Sequence, residues 1–204
     1  MISFLFFVAV YYTKNQYGCI WLKIFHHNSS GGGMFRDFSH AINSDEPNLY
    51  SILHKVTDDY KISGKYEFLL EYPELSGYNR WKQSLHPLYE KDDTNPVKGY
   101  EAISISWDVQ YWGGLTKSSR SGNTLIDGSC GHTNWYYSIG AYKNHEWISS
   151  VCPSTKDCFP GPADKKKEVI LWVRVVSTTI NECPTWSTQY VWKLSVLGYF
   201  FFLL

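Results

Sequence analysis

The chain has no CxxC spacing, no glycine-rich loop carrying a phosphate-binding lysine, no nucleophile elbow and no basic stripe. Without CxxC there is no ready zinc or redox motif, and without the loop lysine Gly31-Gly32-Gly33 reads as a turn, not a nucleotide cradle. Lysines and arginines balance aspartates and glutamates to a net charge of zero, and the one dense basic run, Lys165-Lys166-Lys167, is bracketed by Asp164 and Glu168. That balance excludes an electrostatic nucleic-acid binder as the leading reading. Internal repeats and helix-length amphipathic periods are also missing, which removes solenoids and helix bundles. What remains is a chain of 204 residues that is 44% hydrophobic and 18% aromatic, enough to bury the core of one domain.

The apolar stretches are short, β-branched or aromatic, and separated by turn residues. This pattern predicts strands over Ile20 to Phe25, Lys65 to Tyr72, Ala102 to Trp107, Trp135 to Ala141 and Val169 to Val176. In Ala102 to Trp107 the residues Ile103, Ile105 and Trp107 alternate with serines, which predicts one buried face. Val169 to Val176 is continuous enough to be buried on both faces, and Pro73 should end the hydrogen-bond ladder of the strand before it. Ser39 to Leu53 is expected to hold one short helix, with Ser51 to Val56 ending it or starting another element. The expected fold is all-β, an antiparallel, jelly-roll-like β-sandwich with one or two short helices.

The domain is placed at residues 21–176, with an apolar segment at 1–20 and an extension at 177–204. Ile2 to Val10 matches a signal-peptide core in length but lacks a basic leader and a clean cleavage site; a signal, an anchor or a segment outside the domain are the readings left open. Leu194 to Leu204 is too short to span a bilayer alone, which takes roughly 20 residues. Membrane association through the termini therefore stays open. Five cysteines, Cys19, Cys130, Cys152, Cys158 and Cys183, cannot all pair within one chain; Cys152 and Cys158 could form a local disulfide in an oxidising compartment or remain thiols.

Tryptophans recur inside short polar phrases: Tyr78-Asn79-Arg80-Trp81, Tyr111-Trp112-Gly113-Gly114-Leu115 and His132-Thr133-Asn134-Trp135. An amide, a guanidinium fork and an aromatic face are the ingredients for gripping a glycan or a carboxylate, so Asn79, Arg80, Trp81, Trp112 and Asn134 are the candidate ligand-binding residues. The opposing readings are that Asn79 to Trp81 tie a loop to the core and that Trp112-Gly113-Gly114 forms a bulge. Asp127, with Asn123 and Ser129 around Gly128, is a weak candidate calcium ligand, against the commoner hydrogen-bonded Asx turn. No other cofactor is implied. For catalysis, Glu71 and Glu74 form the only carboxylate pair weighed for glycoside hydrolysis, and Pro73 between them favours a strand end; no residue is assigned a catalytic role. Adjacent His26 and His27 should point to opposite faces of a strand, so at most one could reach a given metal.

Several phrases also carry a resemblance. Phe25-His26-His27-Asn28-Ser29, Glu71-Tyr72-Pro73-Glu74-Leu75, Tyr78 to Gln83, Trp112 to Leu115, Asn123 to Gly128, Asn134-Trp135-Tyr136, Pro160-Gly161-Pro162 and Leu171 to Arg174 together resemble a large family of uncharacterised trichomonad proteins. The resemblance spans roughly Lys23 to Arg174 and departs from the family pattern over Glu146 to Phe159 and at the apolar ends. A similar module ends some cnidarian extracellular proteins. The resemblance implies a portable recognition or adhesion domain, secreted or at the cell surface, with a glycan or protein partner. The alternatives are a carbohydrate-active hydrolase, a structural or assembly domain whose aromatics are all core, and a cytoplasmic location.

Overall fold

The computed structural model describes residues 13–16, 18–28, 35–107, 109–110, 112–117, 125–130, 138–139 and 168–175. Its strands are β1 (Thr13–Gln16), β2 (Cys19–Asn28), β3 (Ser44–Glu46), β4 (Leu49–Ser51), β5 (Tyr66–Glu71) and β6 (Asn79–Gln83). They continue as β7 (Glu101–Ile105), β8 (Trp112–Lys117), β9 (Ile126–Cys130), β10 (Ser138–Ile139) and β11 (Glu168–Val175), with one α-helix, α1 (Phe38–Ile42). An eight-stranded sheet runs β3-β4-β2-β11-β5-β6-β7, with β1 pairing beside β2; a three-stranded sheet runs β10-β9-β8. Every pairing is antiparallel. Trp112, Leu115, Ile126 and Ile139 of the smaller sheet join the same buried cluster as Phe25, Phe68, Trp81 and Val173 of the larger one. The protein is thus an all-β sandwich.

β11 lies between β2 and β5 and is largely buried, as its unbroken apolar run requires. β5 ends at Glu71, two residues before Pro73, which has no N–H to continue a ladder. The entry to β5 is a tight reversal in which Ile62 and Lys65 exchange both backbone hydrogen bonds, at 2.8 and 3.2 Å. Ser63 and Gly64 form its two corners at φ 53° and 79°, the twist that hairpin turns of this length demand. Helix α1 starts at Asp37, whose carboxylate accepts from the His40 N–H at 2.8 Å and so satisfies one of the end donors.

The short helix expected within Ser39 to Leu53 is α1, and the β3–β4 hairpin and a 3-10 turn at Leu53–Lys55 follow it. β7 departs from expectation. It ends one side of the larger sheet, and the register places Arg80 opposite Ser104 but Trp81 opposite Ala102, leaving Ile103 as the extra residue of a bulge. The bulge breaks the period-two pattern, so Ile103 is exposed while Trp107 is buried. Of Trp135 to Ala141 only Ser138–Ile139 is described, as β10, and the Asn28 to Gly33 turn beyond Asn28, Pro160 to Pro162 and both apolar ends lie outside the described residues. The sheet includes β1, upstream of residue 21. Among the described residues no helix is long and apolar enough to cross a membrane.

Candidate binding site

Asn79, Arg80 and Trp81 are consecutive residues of β6, and alternation sends them to different faces of the larger sheet. Asn79 and Trp81 turn inward with Gln83. The Asn79 Oδ1 accepts from the backbone N–H groups of Ser106 and Trp107, both at 3.0 Å, and its Nδ2 donates to the Trp107 carbonyl at 3.2 Å. The side chain thereby ties the end of β7 to β6. Trp81 is fully buried and donates from Nε1 to the Gln83 Oε1 at 2.7 Å. Gln83 in turn donates from Nε2 to the Leu85 and Leu115 carbonyls, each at 2.8 Å, and accepts from the Leu115 N–H at 2.9 Å, which stitches β6 to β8.

Trp112 is also buried, its ring edge-on to Trp81 with centroids 5.0 Å apart. The two glycines after it have a packing reason. A Cβ on Gly113 would meet Asn95 Oδ1 at 1.8 Å, and one on Gly114, at φ 97°, would meet Gln83 Oε1 and Val97 Cγ2 at 2.8 Å. Here β8 carries one more residue than β9, so the Trp112-Gly113-Gly114 phrase forms a bulge that admits the 95–97 loop.

Arg80 lies on the opposite face of the larger sheet and is also buried. Its Nε and Nη2 donate to Glu67 Oε1 at 2.7 and 2.6 Å, while Arg174 Nη1 donates to Glu67 Oε2 at 2.9 Å. The Glu67 carboxylate is enclosed between two guanidiniums, with its side chain 1% exposed. Beside it, Glu71 accepts from Lys14 Nζ at 2.6 Å and from Trp172 Nε1 at 2.7 Å. Burial lowers the Lys14 pKa, and Glu71 acts against that shift. One member of the Glu71 and Glu74 pair therefore has both oxygens engaged in the sheet, while Glu74 sits on the exposed turn after it.

The expected ligand contacts thus have interior duties: Asn79, Arg80, Trp81 and Trp112 are in strands, not loops, and Asn134 lies outside the described residues. The polar phrasing of β6 misled because half its polar groups face partners across the sheet and the other half bond backbone. Asp127 is a strand residue of β9, buried, in place of the expected Asx turn. Among the described residues no group of three or more histidines, cysteines, aspartates or glutamates could hold a metal ion. His26 and His27 face opposite ways, as alternation requires. His26 lies 2.9 Å from the Pro47 carbonyl and 2.7 Å from Glu168 Oε1, while His27 packs edge-on to Phe35.

An aromatic group does reach solvent elsewhere. Tyr89, 54% exposed, lies over the buried ring of His86 with centroids 4.6 Å apart. His86 is fixed from below: its Nδ1 accepts from the Leu88 N–H at 3.2 Å, so Nε2 carries the proton and donates to the Val56 carbonyl at 3.0 Å. Burial holds the His86 pKa below its ordinary value, against the raising effect of the Val56 bond, Glu90 and Asp58. The Glu90 carboxylate accepts the His86 N–H at 2.9 Å. On the far side of His86, Tyr66 packs edge-on and donates its hydroxyl to Asp58 Oδ1 at 2.7 Å, and Lys61 reaches Asp58 at 2.8 Å. Hydrogen bonds from Lys61 and then Tyr66 lower the Asp58 pKa. Burial, followed by the bond to Asp58, raises the Tyr66 phenol pKa.

The result is a solvent-facing ring backed by a fixed imidazole, with the exposed Glu90 next to it in the chain. Sequence reasoning passed over this cluster because His86-Pro87-Leu88-Tyr89 contains neither a tryptophan nor a glycine. Its available signal was an aromatic next to a proline turn between two strand-like stretches. Comparison with known protein families, curated proteins and solved structures finds no match to this chain.

Proposed function

We propose that this chain is a non-catalytic recognition or adhesion module working outside the cell, and that a glycan is its first partner to test. The observation that carries the reading is Tyr89: an exposed aromatic face on a buried, hydrogen-bonded support is suited to stack on a sugar ring at small entropic cost. Glu90, the exposed residue that follows it, supplies a carboxylate acceptor for sugar hydroxyls. Cys19 is disulfide-bonded, which supports an oxidising compartment. The sequence resemblance to the trichomonad family and to cnidarian extracellular modules points the same way.

The test is a glycan array with the purified protein, run with calcium and with a chelator, alongside Tyr89→Ala. Selective capture by the parent and its loss in a folded Tyr89→Ala variant is the expected result. Loss in chelator would bring calcium into the site and return attention to Asp127. Silence from a folded sample would put a protein partner, or an assembly role with the aromatics as core, in its place. The hydrolase alternative predicts turnover that Glu71→Gln abolishes while binding survives.

A further inference from the structure

The Tyr89 ring stands on a turn built around His86. The Tyr89 and Glu90 N–H groups donate to the His86 carbonyl at 3.3 and 3.0 Å, and the Glu90 carboxylate accepts the His86 N–H. The His86 Nδ1 accepts the Leu88 N–H, two residues on. That is the bond an Asx turn makes, with an imidazole nitrogen in place of an amide oxygen. The other ring nitrogen is committed as well, since Nε2 donates to the Val56 carbonyl. Beyond the turn, the Glu90 carbonyl accepts the Lys117 N–H at 2.9 Å, which pins its outgoing end to β8.

An imidazole bonded in this way has one place for a further proton, and that place is taken. A protonated Nδ1 is a donor and would face a second donor, the Leu88 N–H, at 3.2 Å. His86 and Leu88 are both buried, so bulk water does not stand ready to accept from either group. Either the ring turns or the turn at 87–89 opens, and both disturb the stack of Tyr89 on His86. The charged groups that face the ring are Glu90 on its own turn, Asp58 on the 3-10 turn at Asp58–Tyr60, and Lys61 just after it. From β5, Tyr66 presents its ring edge and donates its hydroxyl to Asp58. Burial is the largest influence and opposes the proton, as Lys61 does, while Glu90 and Asp58 favour it, so uptake falls on the acid side of about pH 6.5.

We infer that His86 is a proton-operated catch for Tyr89: while Nδ1 is bare the ring is presented, and a proton taken up there from solvent expels the Leu88 N–H and frees Tyr89 from its support. A partner stacked on Tyr89 is then held near neutrality and let go in acid, a consequence that rests on the recognition role proposed above.

NMR of the full-length chain without ligand, followed from about pH 7.5 to about pH 5, tests the catch. As the His86 Nδ1 resonance reports proton uptake, the hydrogen-exchange protection of the Leu88 amide should drop about tenfold or more. Over the same range the Tyr89 ring protons should lose the shift imposed by the imidazole beneath them. The Leu70 amide, in the core strand β5, should keep its protection, which separates local release from unfolding. His86→Asn retains an acceptor for the Leu88 N–H in an ordinary Asx turn and cannot titrate, so its Leu88 protection and Tyr89 shifts should stay level with pH. The catch is overturned if His86 titrates in the parent without a response at Leu88 and Tyr89, if His86 stays neutral throughout, if Leu70 loses protection in step, or if His86→Asn responds like the parent. Since the experiment uses no ligand, its failure removes the catch alone, and an empty glycan array removes the glycan reading alone.

Discussion

The two faces of the larger sheet use the same residue type for different ends. On the face toward the smaller sheet, Trp81 is surrounded by Phe68 and Trp112, and its single polar atom is absorbed by Gln83. On the other, Trp21 and Trp172 sit among cations and carboxylates, with Lys14 4.3 Å from the Trp172 ring centre. The first face is held by shape, where any lost volume leaves a cavity. The second is held by charge balance, where the costly event is leaving one ion without its partner. A tryptophan count alone cannot distinguish them.

The largest effects should come from breaking each face in its own currency. Trp81→Ala removes the centre of the apolar side and is expected to cost about 3–5 kcal/mol in denaturant unfolding. Glu67→Gln should cost a similar 3–5 kcal/mol, roughly, because it leaves Arg80 and Arg174 buried with a neutral neighbour. Combining Glu67→Leu with Arg80→Met and Arg174→Met sharpens the contrast. If charge balance is what matters there, the triple variant recovers most of the loss, whereas no such rescue exists for Trp81.

Gly114→Ala should cost about 1–3 kcal/mol, since its φ of 97° is strained for a side chain and the new Cβ would press on Gln83 and Val97. Thermal unfolding of that single variant is sufficient to check it. Acid should act more gradually through His86. Its folded pKa lies below the unfolded value, so the unfolded chain binds the extra proton first. The associated stability is complete above about pH 6.5 and is lost as pH falls through the folded value. A pH series of unfolding midpoints should fall less steeply for His86→Gln than for the parent, and parallel curves would remove His86 from the account. Smallest of all, Tyr89→Ala should change stability by no more than about 0.5 kcal/mol, which makes it a clean binding probe.

Much of the fold was legible, because β5 and β11 are long apolar runs whose composition admits little else. β6, β8 and β9 were not, since Asn79, Gln83, Gly113, Gly114, Asp127 and Gly128 are poor strand formers chosen for contacts that exist only once the two sheets meet. The site was hidden for the same reason: polarity along a chain does not say whether the group meets water or a buried partner. Beyond its proline turn, what marks Tyr89 is an exposed ring stacked on a buried imidazole, which only the folded chain reveals.

The bulge at Ile103 reaches beyond its own strand. β7 ends the larger sheet with an extra residue, so its outward N–H and C=O groups are out of step with those of any regular incoming strand. A second molecule cannot extend the ladder without matching that irregularity. The interruption guards this edge against ladder-to-ladder pairing by register and not by repulsion.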